Sequence, residues 1–186
     1  MTRLVAISGS LRKGSFNTAL LRAALTMAPE GVEIVEGSIH GIPLYDGDVE
    51  AADGIPEAVT RLKDLVADAD GVILFTPEYN NGIPGVFKNA IDWMSRPSSD
   101  IAKVFRGRPF ALAGSSPGNF GTILSQNAWL PIMRTLGAEL WSGKRLMLPK
   151  ADTLFDEAGT LTDADARDRL VAFVKAFADF AGAEAQ

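Results

Sequence analysis

Residues 4–21, "LVAISGSLRKGSFNTALL", join an apolar run to a glycine–serine turn and then to a helix-like pattern. From Gly9 to Phe16 the stretch nearly matches the nucleotide P-loop template G-x-x-x-x-G-K-[ST]. Both glycines are present, but Ser15 replaces the lysine, and Phe16 stands where a magnesium-binding hydroxyl is needed. The turn therefore lacks the parts that hold a magnesium triphosphate.

The same turn has the features of a site for a single phosphate. Gly9 and Gly14 permit a tight turn that brings backbone N–H groups near a ligand. A helix N-terminus favours an anion by about 0.3–1 kcal/mol at an exposed position. The turn also supplies short polar side chains and one forked cation: Ser10, Arg12, Ser15 and Asn17. An ordinary glycine–serine turn, with Ser15 as a helix cap, explains the pattern equally well.

Short apolar runs alternate with helical patterns along the whole chain. Strands are predicted at residues 3–8, 32–36, 71–76, 109–114 and 140–148. Helices are predicted at about 16–28 and 56–69, after Pro84, and at 123–136 and 165–182. This alternation is typical of an α/β three-layer sandwich, a five-stranded parallel sheet with helices on both faces. We expect one domain, residues 1–186.

Ligands of such folds lie beyond the carboxyl ends of the strands. This rule selects the loops after Ser8, Thr76 and Gly114. In the second loop, Pro77 ends the strand and polar or aromatic residues follow it, which suits a planar heterocycle: Glu78, Tyr79, Asn80 and Asn81. A plain Asn–Asn–Gly turn and a packing role for Tyr79 are the alternatives. Glu78 has no evident carboxylate partner for acid–base work.

The third loop, "AGSSPGNFG" at residues 113–121, contains a literal G-x-S-x-G match, the nucleophile elbow of serine hydrolases. The elbow needs the N–H of the residue after the serine, and here that residue is Pro117, which has none. The triad also needs a downstream histidine, whereas the one histidine, His40, lies upstream. The hydrolase interpretation fails on both counts. Backbone N–H groups between Gly118 and Gly121 suit a ring carbonyl oxygen instead.

Composition excludes several classes of function. With 18 basic and 23 acidic residues, the net charge of −5 gives no general attraction for nucleic acid or anionic lipid. The chain has no cysteine, which excludes thiol catalysis and cysteine metal sites. It has one histidine, which argues against a histidine metal site. No apolar stretch approaches the roughly 20 residues of a membrane span. The apolar run starts too early for a signal peptide, so we expect a cytoplasmic protein. One acidic cluster is predicted to be a solvated loop: Asp46, Asp48, Glu50 and Asp53.

"GSLRKGSFN" at residues 9–17 and "TPEYNNGIPGVFKNAIDW" at residues 76–93 together resemble the NAD(P)H-dependent FMN reductases, in particular the quinone and chromate reductase branch. The resemblance extends from Arg3 to about Phe180. It implies a flavodoxin-like fold, FMN as cofactor, and NADPH or NADH as reductant. It also implies two-electron, ping-pong transfer of hydride to a quinone or a similar small acceptor.

The resemblance further implies which residues bind the cofactor. The phosphate and ribityl chain of FMN are assigned to Ser10, Arg12, Ser15 and Asn17. The isoalloxazine edge is assigned, largely through backbone contacts, to Pro77, Glu78, Tyr79 and Asn80. The third flavin loop is matched less closely by Ser115, Ser116, Gly118 and Gly121, because the chain continues Thr–Ile where relatives carry Ala–Arg. No side chain is assigned a catalytic role, since FMN carries the hydride chemistry.

Several alternatives stay open at this point. A one-electron carrier of flavodoxin type and a binding module without catalysis share the same fold. The resemblance implies a homodimer or homotetramer with residues 82–97 near the subunit contact, whereas Phe87 and Trp93 are equally explained as core residues. Arg106 and Arg108 are candidates for the 2′-phosphate of NADPH, or are simply solvated.

Overall fold

Buried apolar runs form a parallel sheet in the computed structural model, which describes residues 1–184. The strands are β1 (Thr2–Ser8), β2 (Val32–Gly37), β3 (Gly71–Phe75), β4 (Pro109–Ser115), β5 (Glu139–Leu140) and β6 (Leu146–Leu148). Their order is β2-β1-β3-β4-β5, and β6 pairs with the carboxyl half of β4. This doubly wound order is that of flavodoxin-like proteins. The predicted fold class is confirmed.

Helices cover both faces of the sheet. They are α1 (Phe16–Thr26), α2 (Gly47–Asp53), α3 (Glu57–Ala67), α4 (Gly85–Met94), α5 (Ile101–Val104), α6 (Ile123–Leu136) and α7 (Ala164–Glu184). One apolar cluster joins the sheet to α1 and α7, and the other joins it to α3, α4 and α6. No helix within residues 1–184 is both long and apolar enough to cross a membrane.

The two central strands show why the sheet is parallel and covered on both sides. In β1, Leu4 belongs to the cluster beneath α1 and α7, whereas its neighbour Val5 belongs to the opposite cluster. Every residue of β3 is buried. Strands that read as unbroken apolar runs are typical of sheets with helices on both faces.

The predicted fifth strand is divided into two short pieces. Residues 141–145 leave the sheet between β5 and β6, so a continuous strand over residues 140–148 was wrong in its middle. A Cβ atom on Gly143 would lie 2.6 Å from Nε1 of Trp141, so the loop requires glycine there. The Trp141 ring packs against Phe173 and Phe177 of α7. Apart from the Trp141 N–H, which still donates to the Phe110 carbonyl of β4 at 2.8 Å, the loop has aromatic packing in place of ladder hydrogen bonds.

The predicted acidic loop was also wrong, because it contains helix α2. The Asp46 carboxylate caps this helix by accepting from the Asp48 N–H at 2.9 Å. Acidic residues in the first turn, Asp48 and Glu50, are favoured by the helix dipole. Glu50 also accepts two hydrogen bonds from Nε of Arg96, at 2.8 and 3.1 Å.

The segment that leads into α2 is fastened to α4. The Tyr45 N–H donates to Oδ1 of Asn89 at 2.8 Å, and the Asn89 amide donates to the Pro43 carbonyl at 2.8 Å. Nε1 of Trp93 donates to the same carbonyl at 2.9 Å. Phe87 and Trp93 are fully buried, so within this chain both are core residues.

Candidate functional site

Three loops meet at the carboxyl edge of the sheet, as the sequence predicted. The first follows β1, the second follows β3 and the third follows β4. Side chains connect them directly, through Ser10 to Tyr79, Asn17 to Ser115, and Glu78 to the start of α6. Residues far apart in sequence therefore form one polar surface.

The first loop has donors suited to a phosphate monoester. Ser15 caps α1, because its Oγ accepts from the Thr18 N–H at 3.3 Å. The N–H groups of Phe16 and Asn17 lie in the first turn, where a helix provides no internal acceptor. Ser10 of the same loop is also buried, and its hydroxyl accepts from the Arg12 N–H. These donors at a positive helix end fit the phosphate of FMN without a metal ion.

The two glycines of this loop have different reasons to be glycine. Neither adopts the left-handed backbone conformation. A Cβ atom on Gly9 would lie 2.1 Å from Cδ1 of the buried Phe87 ring. A Cβ atom on Gly14 would meet no atom within 4 Å. Packing of α4 therefore requires Gly9, and nothing in the protein itself requires Gly14.

Arg12 is the exposed cation of the first loop. Its guanidinium carbon lies 5.8 Å from the centre of the Phe16 ring. Within residues 1–184 it forms no ion pair. Its backbone N–H donates to Oγ of Ser10 at 3.2 Å. The charge is thus held beside the helix N-terminus and is free to face a bound anion.

Asn17 connects the first loop to the third. Its Nδ2 donates to the Ser115 carbonyl at 2.9 Å, and its Oδ1 accepts from the Ser115 N–H at 3.0 Å. The side chain is only 4% exposed. Because both ends of the amide are engaged, the side chain braces the two loops, and the backbone N–H of Asn17 in the first turn of α1 is left for the phosphate to which the resemblance assigns this residue. The Ser115 hydroxyl, in turn, donates to the Leu148 carbonyl at 3.1 Å.

The second loop is a two-residue hairpin. Tyr79 and Gly82 exchange backbone hydrogen bonds of 3.1 and 3.0 Å. The intervening residues have positive φ, 50° at Asn80 and 63° at Asn81, a combination typical of a type I′ turn. The predicted Asn–Asn–Gly turn is therefore confirmed in its backbone geometry. The turn also presents Tyr79, which is half-exposed, with its hydroxyl 3.3 Å from Oγ of Ser10.

Glu78 caps helix α6 from another loop. Its Oε2 accepts from the Leu124 N–H at 2.8 Å and from the Ser125 N–H at 3.0 Å. Thr122, the residue at the N-cap position, provides no side-chain cap of its own. A carboxylate at a helix N-terminus is stabilised by both the hydrogen bonds and the helix dipole. Glu78 thereby holds the second loop against α6.

A buried hydroxyl network lies beneath this cap, and sequence reasoning missed it. Oγ1 of Thr76 lies 2.8 Å from Oγ of Ser125 and accepts from Nε1 of Trp129 at 3.0 Å. It also donates to the Pro77 carbonyl at 3.1 Å. The i, i+4 spacing of Ser125 and Trp129 on one helix face was the available signal. This network fixes the point at which β3 becomes the second loop.

The third loop is fastened to the end of β6. The Ser116 N–H donates to the Leu148 carbonyl at 3.1 Å, and the Ser116 hydroxyl donates to the Gly121 carbonyl. Gly121 has a φ of 63°, and a Cβ atom there would lie 3.0 Å from Cβ of Met147. The Gly118 carbonyl accepts from the Lys150 N–H at 3.0 Å. Gly121 is therefore required by both its conformation and its neighbour.

Arg108 lies at the opposite edge of the sheet, at the start of β4. Its guanidinium donates to four backbone carbonyls, those of Ala67, Ala69, Lys103 and Val104. Burial lowers the pKa of this guanidinium below its ordinary value. The Arg108 guanidinium is thus bonded to backbone carbonyls inside the protein. The interpretation of Arg108 as a ligand of the 2′-phosphate of NADPH is therefore wrong. Among residues 1–184 no cluster of three or more acidic or histidine side chains could hold a metal ion.

Comparison with known proteins agrees with this geometry. Residues 2–153 match the NADPH-dependent FMN reductase family. The chain is 41% identical over 166 residues to an NAD(P)H-dependent FMN reductase of Pseudomonas aeruginosa, covering 89% of this chain and 88% of that protein. It is 37% identical over 181 residues to a quinone reductase of Escherichia coli, covering 96% and 94%.

A solved structure is similar over nearly the whole length. It is FerB of Paracoccus denitrificans, a flavoenzyme NAD(P)H:(acceptor) oxidoreductase, with a TM-score of 0.86, 33% identity and 99% of each chain covered. The family match spans β1 to the turn after β6 and so includes all three loops. The chain therefore belongs to the NADPH-dependent FMN reductase family.

Proposed function

We propose that this protein is an FMN-dependent oxidoreductase that takes hydride from NADPH or NADH and passes it to a quinone or a related small acceptor. The observation that carries the proposal is the joining of three loops at one edge of the sheet, beside the N-terminus of α1 and the unpaired Arg12. Ser10 contacts Tyr79, and Asn17 braces Ser115, so both ends of a flavin site are built on one rigid edge. Relatives named for FMN and quinone reduction support the same activity.

The chain's own residues would bind and orient the cofactor. Ser10, Arg12, Ser15 and the first turn of α1 would hold the phosphate. Two other groups of residues would border the ring: Pro77, Glu78, Tyr79 and Asn80 in the second loop, and Ser115, Ser116, Gly118 and Gly121 in the third. When bound, FMN supplies the two-electron redox chemistry. The hydrogen bonds between loops would limit the reorganisation that binding requires.

No side chain needs to act as a general acid or base. Glu78 is held by two backbone N–H groups at the start of α6, so its structural role accounts for it. Tyr79 lies on the open side of the site, where a planar nicotinamide or quinone would have to approach. We therefore propose that the protein positions FMN and the substrates, and that FMN carries out the hydride transfer.

We also propose that residues 1–186 act as one domain in a homodimer or homotetramer in the cytoplasm. One observation supports an assembly. The segment before α2 carries exposed apolar side chains at Leu44 and Tyr45, and Val49 on α2 adds a third. A partner surface there would lie beside the second flavin loop, because this segment is fastened to α4.

The decisive experiment is FMN titration of the purified chain, followed by steady-state oxidation of NADPH and NADH with a quinone present. We expect stoichiometric FMN binding and quinone-dependent oxidation. The double variant Ser10→Ala/Arg12→Ala should weaken FMN binding at least tenfold, because it removes a buried donor and the free cation. Arg61→Ala, an exposed arginine on α3, is the matched control.

Two results would contradict the proposal. FMN binding without oxidation of either nicotinamide cofactor would favour an electron carrier of flavodoxin type. Absence of FMN binding, with the fold intact by circular dichroism, would favour a binding module that uses the same fold for another ligand.

A further inference from the structure

Positive charge is concentrated in one section of this acidic protein. Residues 101–150, which form α5, β4, the third loop, α6, β5 and β6, contain seven basic residues and one acidic residue, Glu139. The remaining residues of the chain contain 11 basic and 22 acidic residues. The basic section, residues 101–150, therefore attracts anions to the side of the sheet that carries the third loop.

The cations of the basic section fall into two groups. Lys144 and Arg145 come directly before β6, which pairs with the carboxyl half of β4, and Lys150 follows β6. None of these three forms an ion pair within residues 1–184. The other four lie before β4 or in the last turn of α6, toward the amino edge: Lys103, Arg106, Arg108 and Arg134. The unpaired cations near the carboxyl edge are therefore the ones that a ligand of the flavin site can reach.

Lys144 and Arg145 line a small cleft between α6 and the loop that separates β5 from β6. The cleft has a volume of about 80 Å³, whereas sites that enclose a whole small molecule measure roughly 300–1,000 Å³. It therefore has room for one compact group and not for a nucleobase with its sugar. None of the described residues that line the cleft is acidic, and its other polar side chains are uncharged: Gln126, Asn127 and Ser142.

The backbone around the cleft is held in place before any ligand binds. Nε2 of Gln126, a residue that is only 6% exposed, donates to the Leu146 carbonyl at 3.1 Å and so ties α6 to β6. At the other end of the loop, the Trp141 N–H donates to the Phe110 carbonyl at 2.8 Å. Because both ends of the loop are anchored, binding an anion there requires the ordering of two side chains and not of the loop itself.

The cleft adjoins the third loop. Its lining includes Ile123, the first residue of α6, and Met147 of β6. Met147 lies against Gly121 of the third loop, since a Cβ atom on that glycine would be 3.0 Å from Cβ of Met147. Arg145 precedes Met147 by two residues, which is about 7 Å along an extended strand. An anion held by Lys144 and Arg145 therefore lies beside the proposed flavin site and outside it.

We infer that Lys144 and Arg145 bind the 2′-phosphate of NADPH, so that the protein uses NADPH in preference to NADH. A guanidinium binds a phosphate through two parallel N–H groups, and an ammonium adds a compact positive charge. With the nicotinamide at the flavin ring, the rest of the dinucleotide extends past the third loop to the cleft. This inference rests on the proposed function, because it requires the nicotinamide to reach FMN at the carboxyl edge.

The first test measures binding without a redox step. The FMN-loaded full chain is titrated by calorimetry with adenosine 2′,5′-bisphosphate and with adenosine 5′-monophosphate, which differ only in the 2′-phosphate. We expect the bisphosphate to bind at least tenfold more tightly. The double variant Lys144→Gln/Arg145→Gln should bring the two dissociation constants within twofold of each other. Arg134→Gln is the matched control, because it removes another cation of the basic section at the opposite edge.

The second test measures steady-state oxidation of NADPH and NADH with a quinone present. In the unaltered chain, kcat/KM for NADPH should exceed that for NADH at least tenfold. Lys144→Gln/Arg145→Gln should lower kcat/KM at least tenfold for NADPH and less than threefold for NADH. The kcat at saturating NADPH should stay within twofold, because the 2′-phosphate is remote from the reacting atoms.

Three results would overturn the inference. They are equal kcat/KM values for NADPH and NADH in the unaltered chain, an equal loss for both in the double variant, and a loss of the preference in Arg106→Gln, which would place the 2′-phosphate at the amino edge. Oxidation of neither nicotinamide cofactor by the FMN-loaded chain would instead contradict the proposed function. The two failures are therefore distinguishable.

Discussion

The two edges of the sheet use buried polar groups in opposite ways. At the carboxyl edge, Asn17 and Glu78 connect loops that are far apart in sequence. At the amino edge, Arg108 satisfies the last carbonyls of α3 and α5 and has no role beyond that. The side chains of Asn17, Glu78 and Arg108 are each bonded to backbone groups, as buried polar groups usually are. At the carboxyl edge, the N–H groups of Phe16 and Asn17 and the Arg12 guanidinium have no acceptor within residues 1–184 and lie together in one loop.

The arginines Arg12 and Arg108 show what this difference means. Arg108 has more partners and is more buried, yet its contacts leave nothing for a ligand. Arg12 is exposed and unpaired within the described chain, beside a helix N-terminus. Arg12, the proposed phosphate ligand, thus has its guanidinium donors free, whereas the donors of the structural Arg108 are engaged by backbone carbonyls.

The largest effect is expected from Asn17→Ala. The change leaves the N–H and carbonyl of Ser115 without partners, at a cost of about 2–4 kcal/mol in the free energy of unfolding. It also frees the third loop, so FMN affinity should fall at least tenfold. Urea unfolding and FMN titration measure the two effects, with the exposed Asn127→Ala as control. A loss of stability with unchanged FMN affinity would show that the brace does not serve the flavin.

Arg108→Gln should lower stability without affecting the flavin. The loss of charge-assisted hydrogen bonds to helix ends predicts a decrease of about 1.5–3 kcal/mol in the free energy of unfolding. FMN affinity should stay within twofold, because the residue lies at the other edge. Arg106→Gln, which removes no hydrogen bond, should change stability by less than about 0.5 kcal/mol. Reduced FMN affinity in the folded Arg108→Gln variant would contradict the separation of the two edges.

Within the first loop, Gly9→Ala and Gly14→Ala should differ sharply. The Gly9 substitution overlaps the Phe87 ring and should cost about 1–3 kcal/mol, whereas the Gly14 substitution should change stability by less than about 0.5 kcal/mol. Chemical denaturation measures both. If Phe87 is the cause, Phe87→Leu should cost less in the Gly9→Ala background than alone, a coupling that a double-mutant cycle detects. Equal costs for the two glycines would refute the packing explanation.

Removing the cap of α6 should have a moderate effect. Glu78→Ala deprives two N–H groups of their acceptor and should cost about 0.5–2 kcal/mol. Glu78→Gln keeps an acceptor oxygen and should cost less than Glu78→Ala. Thermal unfolding measures the stabilities, and turnover with a quinone at saturating NADPH measures the chemistry. A Glu78→Gln variant that is fully stable but loses nearly all turnover would indicate acid–base catalysis by Glu78 instead of capping.

The smallest effect is expected in the pH dependence of stability, through the ion pair of Arg96 with Glu50 that anchors α2. Hydrogen bonding from Arg96 lowers the pKa of Glu50 below its ordinary value of 4.5. The pair therefore stabilises the fold fully above that pH, and the contribution is lost as pH falls through the lowered value. The stability difference between the unaltered chain and Arg96→Gln should thus be largest near neutrality and shrink below about pH 4.5. A difference that grows on acidification would contradict this assignment.

Much of the fold was predictable because its signals are local. The apolar runs of β1 and β3 and the helical stripe of α7 need no knowledge of distant residues. Ser15 as the cap of α1 was predictable for the same reason. The helix in the acidic segment has a local signal as well, since Asp46 precedes it as an N-cap, but the high density of carboxylates favours a solvated loop over a helix.

The candidate site was predictable in position but not in its connections. The rule for strand ends placed the three loops at one edge, and the missing lysine and magnesium hydroxyl indicated a monoester phosphate. The pairing of Asn17 with Ser115 spans 98 positions, so it depends on the register of β1, β3 and β4 and on where α1 begins. No local pattern encodes such a contact.

Local periodicity and turn chemistry thus specify the elements of this protein, their order and the edge at which a ligand lies. Tertiary packing determines which polar groups are hydrogen-bonded within the protein and which are left without a partner that a ligand could replace. Glu78 and Arg108 both look like functional residues in the chain, and in the structure both bond to helix ends, whereas Gly9 is explained by the Phe87 ring. The reason is physical: a hydrogen bond or a steric overlap depends on distances in space, which the strand register sets.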